Sequence, residues 1–176
     1  MIRMNELTVL MHILSKKTVE SQIGATEEKI LDALNITNRY KSNYFHNLLI
    51  NLSKFVEPIG LQVKFNPLNF HWYLSFDLES TEMLFANPFE GKPRFAATLF
   101  CTLICCFNNS GVAKVQKIKE LRKKKGIIED LKELEIKGFI TIDKNSNQVM
   151  LTPLIGYHLD LEKLFLKIAL NLKDEK

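Results

Sequence analysis

A mainly helical α+β chain, built from two tandem copies of one helix–helix–hairpin plan, is the fold class that this sequence predicts. Three observations predict it. Asn43 to Glu57 carries Tyr44, Phe45, Leu48, Leu49, Leu52, Phe55 and Val56 at helical spacing, and Pro58 and Gly60 stop it. Two alternating runs follow at once, Leu61–Phe65 and Phe70–Phe76, separated by the turn residues Asn66-Pro-Leu-Asn69. The same order then returns: apolar helical patterns over Val112–Leu121 and Ile127–Lys137, then Gly138, then Phe139–Asp143 and Gln148–Thr152 around Lys144–Asn147. Helix, turn, helix and a two-stranded wing make the winged-helix plan. The repeat is one of architecture and not of residues.

Taken in order, Glu6–Lys16 reads as a helix with Leu7, Leu10, Met11 and Leu14 on one face. Val19–Gly24 reads as a connector. Thr26 caps the next helix, with Glu27 and Glu28 at its positive end. The spacing predicts an N-terminal winged helix over residues 1–78 and a linker over 79–93, where two prolines and a glycine gather. A C-terminal winged helix over 94–157 and a C-terminal helix and tail over 158–176 complete the chain. In the last helix Leu161, Leu164, Phe165, Ile168, Ala169 and Leu172 form one stripe. Leu159, Leu166 and Leu170 lie ~160° away at 100° per residue. A helix apolar on two sides needs two things to pack against, so Leu159, Leu166 and Leu170 are the candidate partner-binding residues.

Composition excludes several classes. The chain has 176 residues, 46 % apolar and 25 % charged, which suits one medium or two small globular domains. The longest nearly apolar run, Phe95–Phe107, spans 13 residues. That is short of the ~20 that cross a bilayer. No cleavable leader pattern is seen, so an intracellular, soluble protein is expected. Cys101, Cys105 and Cys106 all fall in that apolar run and read as buried small hydrophobes. His12, His46, His71 and His158 are scattered and show no H-x-x-x-H spacing. No phosphate loop and no G-x-S-x-G elbow occurs. The neighbouring carboxylates Glu27-Glu28 and Glu129-Asp130 sit at helix starts, as the helix dipole favours. No enzyme, metal or cofactor is expected.

Charge is uneven. Val112–Gly126 holds six lysines and Arg122 against Glu120 alone, +6 of a whole-chain +4, so the remainder carries −2. Lys117, Arg122, Lys123, Lys124 and Lys125 are therefore candidate phosphate contacts, of the weak, sequence-independent kind. The second helix of that half holds Glu129, Asp130, Glu133 and Glu135 against Lys132 and Lys137, a net −2 that would repel phosphates. In the first half Ser42, Asn43, His46, Asn47 and Asn51 could touch a base or a phosphate.

The chain resembles the segregation and condensation protein B family, the non-kleisin partner subunits of chromosome-condensing ATPase complexes. The residues that carry the resemblance are Phe95-Ala-Ala-Thr-Leu99, Ile118-Lys-Glu-Leu-Arg122, Glu135-Ile-Lys-Gly-Phe-Ile140 and Met150-Leu-Thr152. Leu61-Gln-Val63 and Trp72-Tyr-Leu74 carry it in the first half. The chain departs from the family pattern at Asn109-Ser-Gly-Val-Ala113 and in its shorter wing. The resemblance implies a non-enzymatic scaffold subunit of an SMC–kleisin complex. It would be cytoplasmic and nucleoid-associated, and would bind the kleisin, and through it an SMC ATPase, as a homodimer formed mainly through the first domain. There Phe70, Trp72 and Leu74 crowd one side of a two-stranded ribbon and are the candidate dimerisation residues. The alternative is a winged-helix transcription regulator that reads DNA.

Overall fold

The computed structural model describes residues 4–19, 22–37, 40–77, 89–161, 163, 164 and 166. The chain divides into two compact units, Met1–Phe85 with Leu161–Lys176, and Ala86–Asp160. The expected linker, 79–93, lies for the most part outside the described residues. The architecture is α+β and mainly helical.

In the first unit α1 (Met4–Ser15) buries Leu10 and Leu14. A short hairpin, β1 (Lys17–Val19) with β2 (Gln22–Ile23), occupies the stretch expected to be a plain connector. Helix α2 (Glu27–Ala33) starts at Thr26, whose hydroxyl accepts from the Lys29 amide. Helix α3 (Lys41–Val56) has no acidic residue and buries Phe45, Leu48, Leu49, Leu52 and Val56. A 3-10 turn through Pro58 ends in Gly60, and β3 (Leu61–Asn66) pairs antiparallel with β4 (His71–Phe76). The core draws on α1, α2 and α3 and on the helix-facing side of the ribbon, with Val63, Trp72 and Leu74 packed against it. Trp72 stands edge-on to Phe45 and 5.0 Å from Phe65, centroid to centroid.

The second unit runs α4 (Pro93–Phe107), β5 (Val112–Lys114), α5 (Val115–Arg122), α6 (Ile127–Ile136), β6 (Ile140–Asp143), β7 (Gln148–Leu151) and α7 (Pro153–His158). Its sheet is antiparallel in the order β5-β7-β6. The strand β5 corrects the reading of Val112–Leu121 as one helix. Val112 and Ala113 pair with Met150 and Val149, which satisfies their backbone in the sheet, and the helix begins only at Val115.

Pairing aligns the two units residue by residue. In the second, Val149 sits between Ala113 and Ile142. In the first, Trp72 sits between Ala25, through an isolated bridge, and Phe65. Ala25 is thus the equivalent of Ala113. Both units therefore have helix, strand, helix, helix and wing, with the first strand worn down to one bridge in the first unit. Gly24, at φ +73°, stands where the second unit has Val112. A Cβ there would lie 1.9 Å from the Trp72 carbonyl oxygen, so only glycine lets the chain press so close to β4.

A second correction concerns the C-terminal helix expected from His158 onward. Helix α7 ends at His158, Leu159 is extended (φ −124°, ψ 137°), and helical backbone resumes at Leu161. Leu159 therefore belongs to no stripe with Leu166, because the 100° step holds only along one continuous helix.

Candidate functional site

Helix α6 occupies the place where a winged helix presents side chains to a DNA groove. Buried Ile127, Leu131 and Leu134 hold it to its own unit. Its other side carries Ile128, Glu129, Lys132 and Ile136 to the surface, Ile136 with 85 % of its area exposed. Three of the four carboxylates of this helix have partners within the unit. Asp130, 4 % exposed, accepts from the Arg94 guanidinium at 2.6 and 3.1 Å and from the Thr98 hydroxyl at 2.8 Å. Gly126 makes room for this clasp, since a Cβ there would meet the Arg94 guanidinium at 2.9 Å. Glu133 pairs with Lys92 at 3.1 Å, and Glu135 accepts from the Ile142 amide at 2.9 Å. Counting Lys92 and Arg94, the four acidic and four basic side chains cancel. The helix itself keeps its net −2, and Lys92 and Arg94 neutralise it locally. What remains on this helix is a surface short of hydrogen-bond donors for bases.

The basic candidates separate into two places. Lys117 is exposed on α5, while Lys123, Lys124 and Lys125 are exposed on the turn after it, with Lys123 at φ +50° as the helix cap. Arg122 is half-buried and its Nε is enclosed with no acceptor.

Helix α4 is the third surface. Arg94 is its only charged residue, and from Phe95 to Phe107 none occurs. A helix apolar all round belongs in a core or against another molecule. One side of α4 is in the core through Phe95, Leu99, Leu103 and Cys106. On its other side Phe100, Ile104 and Phe107 follow at steps of four and three, with Phe100 exposed and Phe107 60 % exposed. Between α4 and α5 lies a groove of about 600 Å³ with Ile104, Cys105 and Leu121 as its apolar wall and Lys117 and Lys123 on its rim. Glu120, also on that rim, accepts from Gln116 at 3.1 Å.

The thiols on α4 are held away from the thiolate form. Burial pushes all three up, Cys106 to about 12, and the Cys106 thiol points at the Val149 carbonyl. They stay protonated at neutral pH, which makes them poor nucleophiles and ligands. Among the described residues no group of three His, Cys, Asp or Glu could hold a metal ion. No helix among them is long and apolar enough to cross a membrane.

The first unit revises the ribbon. Trp72 and Leu74 face their own helices, and on the opposite side His71 and Tyr73 are buried, Tyr73 to 4 % exposure. The ribbon is covered on both faces, so of the three dimerisation candidates Phe70 alone stays open. It is 67 % exposed at the wing turn, at φ +58°. On α3 the polar candidates are exposed, yet several bond locally. Ser42 donates to Glu27 at 3.1 Å, the His46 ring lies 2.8 Å from the Ser42 carbonyl, and Asn51 donates to the Asn47 carbonyl at 2.7 Å. Of the C-terminal candidates Leu166 is 61 % exposed, Leu159 is half-buried in extended backbone, and Leu170 lies outside the described residues.

Neither a protein-family model nor a curated protein matches the sequence. Among solved structures, the chain is similar to the crystal structure of ScpB from Mycobacterium tuberculosis. The match covers 93 % of this chain and 98 % of that one, at 13 % identity and a TM-score of 0.33.

The groove, the outward face of α6 and the wing turn are surfaces that sequence periodicity could not isolate. Phe100, Phe107, Ile128 and Ile136 are of residue types that usually fill cores. The one signal in the sequence was the lack of charge around the whole of α4.

Proposed function

We propose that this chain is a non-enzymatic scaffold subunit of an SMC–kleisin chromosome condensation and segregation complex, which holds a kleisin-type chain and works as a homodimer. The observation that carries this reading is the outward face of α6. Where a DNA reader needs Arg, Lys, Asn or Gln aimed at base edges, this helix offers Ile128, Glu129 and Ile136 around a single Lys132. Exposed isoleucines on a rigid helix suit a protein partner. The motif resemblance over both halves supports the choice of partner class.

DNA contact in this reading is weak and sequence-independent, and goes through Lys117, Lys123, Lys124 and Lys125. The exposed Phe70 is the ribbon residue assigned to dimerisation in this reading. Leu166 is the exposed C-terminal candidate for partner binding. A pull-down with the tagged full chain from native lysate tests the whole reading. A coiled-coil ATPase with its kleisin in the eluate is the expected result. Nanomolar binding to one duplex and not to its scrambled form, at ~150 mM salt, would replace it with the transcription-regulator reading.

A further inference from the structure

We propose that the outer edge of β3 is a strand-pairing site, where a second copy of this chain adds its own β3 antiparallel about a two-fold axis at Val63. The proposal rests on the homodimer reading and gives that dimer its interface. Hydrogen bonding on β4 fixes which groups are open. The Trp72 amide and carbonyl both bond to Ala25, at 2.9 and 3.1 Å, so Trp72 turns its backbone away from β3. Phe65, its partner in the register, therefore turns its own amide and carbonyl outward. The alternation continues through Val63 to Leu61. The amides and carbonyls of Leu61, Val63 and Phe65 thus form a row with no hydrogen-bond partner among the described residues.

The second unit closes the same edge. Ile142 stands beside Val149 as Phe65 stands beside Trp72, and its amide donates to the Glu135 carboxylate at 2.9 Å. Helix α3 has no acidic residue to offer β3 such a stop. Nor has β3 a proline or a bulge, devices that keep an edge strand single. Its only charge, Lys64, is half-buried opposite Tyr73.

The register selects the occupant. With the axis at Val63, Leu61 of one copy faces Phe65 of the other, Val63 faces Val63, and each open amide meets an open carbonyl. On the other side of the sheet Gln62 faces Lys64, an amide against an ammonium. An axis at Lys64 would set two ammonium groups opposite each other, and an axis at Gln62 would leave Phe65 unpaired. The axis at Val63 also lays Ile59, 65 % exposed, along the wing turn that carries Phe70, 67 % exposed. One operation covers the open edge and the exposed apolar residues at both its ends.

The test uses the full chain. Gln62→Cys and Lys64→Cys are made as separate variants, each melting as the wild type does, and then co-expressed. Facing residues of a non-hydrogen-bonded antiparallel pair have Cα atoms ~4.5 Å apart, within the reach of a disulfide. Mild oxidation should link the co-expressed pair into a covalent dimer. Either variant alone should not link, nor should the wild type with its native Cys101, Cys105 and Cys106. Hydrogen exchange on the wild type is the second readout. The Leu61, Val63 and Phe65 amides should be protected to within about tenfold of the Gln62 and Lys64 amides, which face β4. A dimer by light scattering that lacks the mixed cross-link, or that leaves these three amides unprotected, overturns the proposal and moves the homodimer to another surface. A 20.4 kDa monomer overturns both. Protection that appears in a monomer only when another protein is added replaces the second copy with a foreign strand. Cross-linking intact with no ATPase recovered in the pull-down removes the scaffold and leaves the strand pairing.

Discussion

The two units share a plan and hold it together differently. In the first, the centre of the sheet is Trp72, a large ring between Ala25 and Phe65 that reaches Phe45 on α3. In the second, the equivalent residue is Val149, and the tie between the first and third helices is polar, the Arg94–Asp130–Thr98 clasp. The third helices diverge as well. Helix α3 carries amides and no carboxylate, whereas α6 carries four carboxylates. One backbone plan thus tolerates an aromatic or a polar solution to the same packing problem, and its outward face is free to specialise. Five experiments would break or sharpen this comparison, in descending order of effect.

Trp72→Ala should cost the first unit ~3–5 kcal/mol, and Val149→Ala roughly 2 kcal/mol in the second, as the removed volumes differ. Denaturant melts read both, and equal losses would show that the tryptophan is not the keystone of its sheet. Phe70→Ala is the internal control. It should leave the melt within ~0.5 kcal/mol, as an exposed site does, while light scattering reports any shift of a dimer toward the 20.4 kDa monomer.

Gly24→Ala should cost ~3 kcal/mol or more, because it adds a left-handed backbone conformation to a clash with the Trp72 carbonyl. Val112→Ala at the equivalent strand position should cost only about 1 kcal/mol. Hydrogen exchange at the Ala25 and Trp72 amides, which bond to each other's carbonyls at 3.1 and 2.9 Å, localises the damage.

Asp130→Ala should destabilise the second unit by about 2–3 kcal/mol, since a buried carboxylate that accepts from both Arg94 and Thr98 is lost and the Thr98 hydroxyl keeps only the Arg94 carbonyl, at 3.2 Å. Lys92→Ala breaks an exposed pair and should move the same melt by less than about 0.5 kcal/mol. A large loss from Lys92→Ala would show that the surface pair and the buried clasp act as one network.

Lys123→Glu with Lys124→Glu and Lys125→Glu should abolish weak DNA binding without unfolding either unit. In Lys-to-Ala versions the slope of log K against log salt should fall by about three contacts' worth, ~0.9 for each phosphate. An unchanged slope would move the DNA contact to the amide face of α3.

The smallest effect belongs to the wing turn. Hydrogen bonds from the Ser146 hydroxyl and the Asn145 amide hold the Asp143 carboxyl below its usual value. A depressed carboxyl gives stability above its unfolded pKa that is lost as pH falls through the folded one. Side-chain NMR titration of Ser146→Ala should show the Asp143 midpoint moving up. No movement would mean that the turn is held by backbone alone.

The sequence alone determined the main helices and the two wing hairpins. Short-range rules suffice for that: the stripe Phe45-Leu48-Leu49-Leu52-Val56 makes a helix at any location, Pro58 and Gly60 end it, and Asn66-Pro-Leu-Asn69 turns a hairpin. Local patterning failed where a distant chain segment decided the outcome. Val112–Lys114 has helical spacing, yet becomes a strand because the open edge of β7 offers it hydrogen bonds. Leu159 has the right type for a helical stripe, yet is extended where α7 ends and the first unit's chain resumes. Asp130 and Glu133 read as a repelling charge until Arg94 and Lys92 came beside them from 36 and 41 residues away. Whether a large apolar residue faces core or solvent was likewise settled only in three dimensions. Ile136 and Phe107 have the same hydrophobicity wherever they stand, and only the packing of whole elements leaves them outside, where a surface for a partner can form.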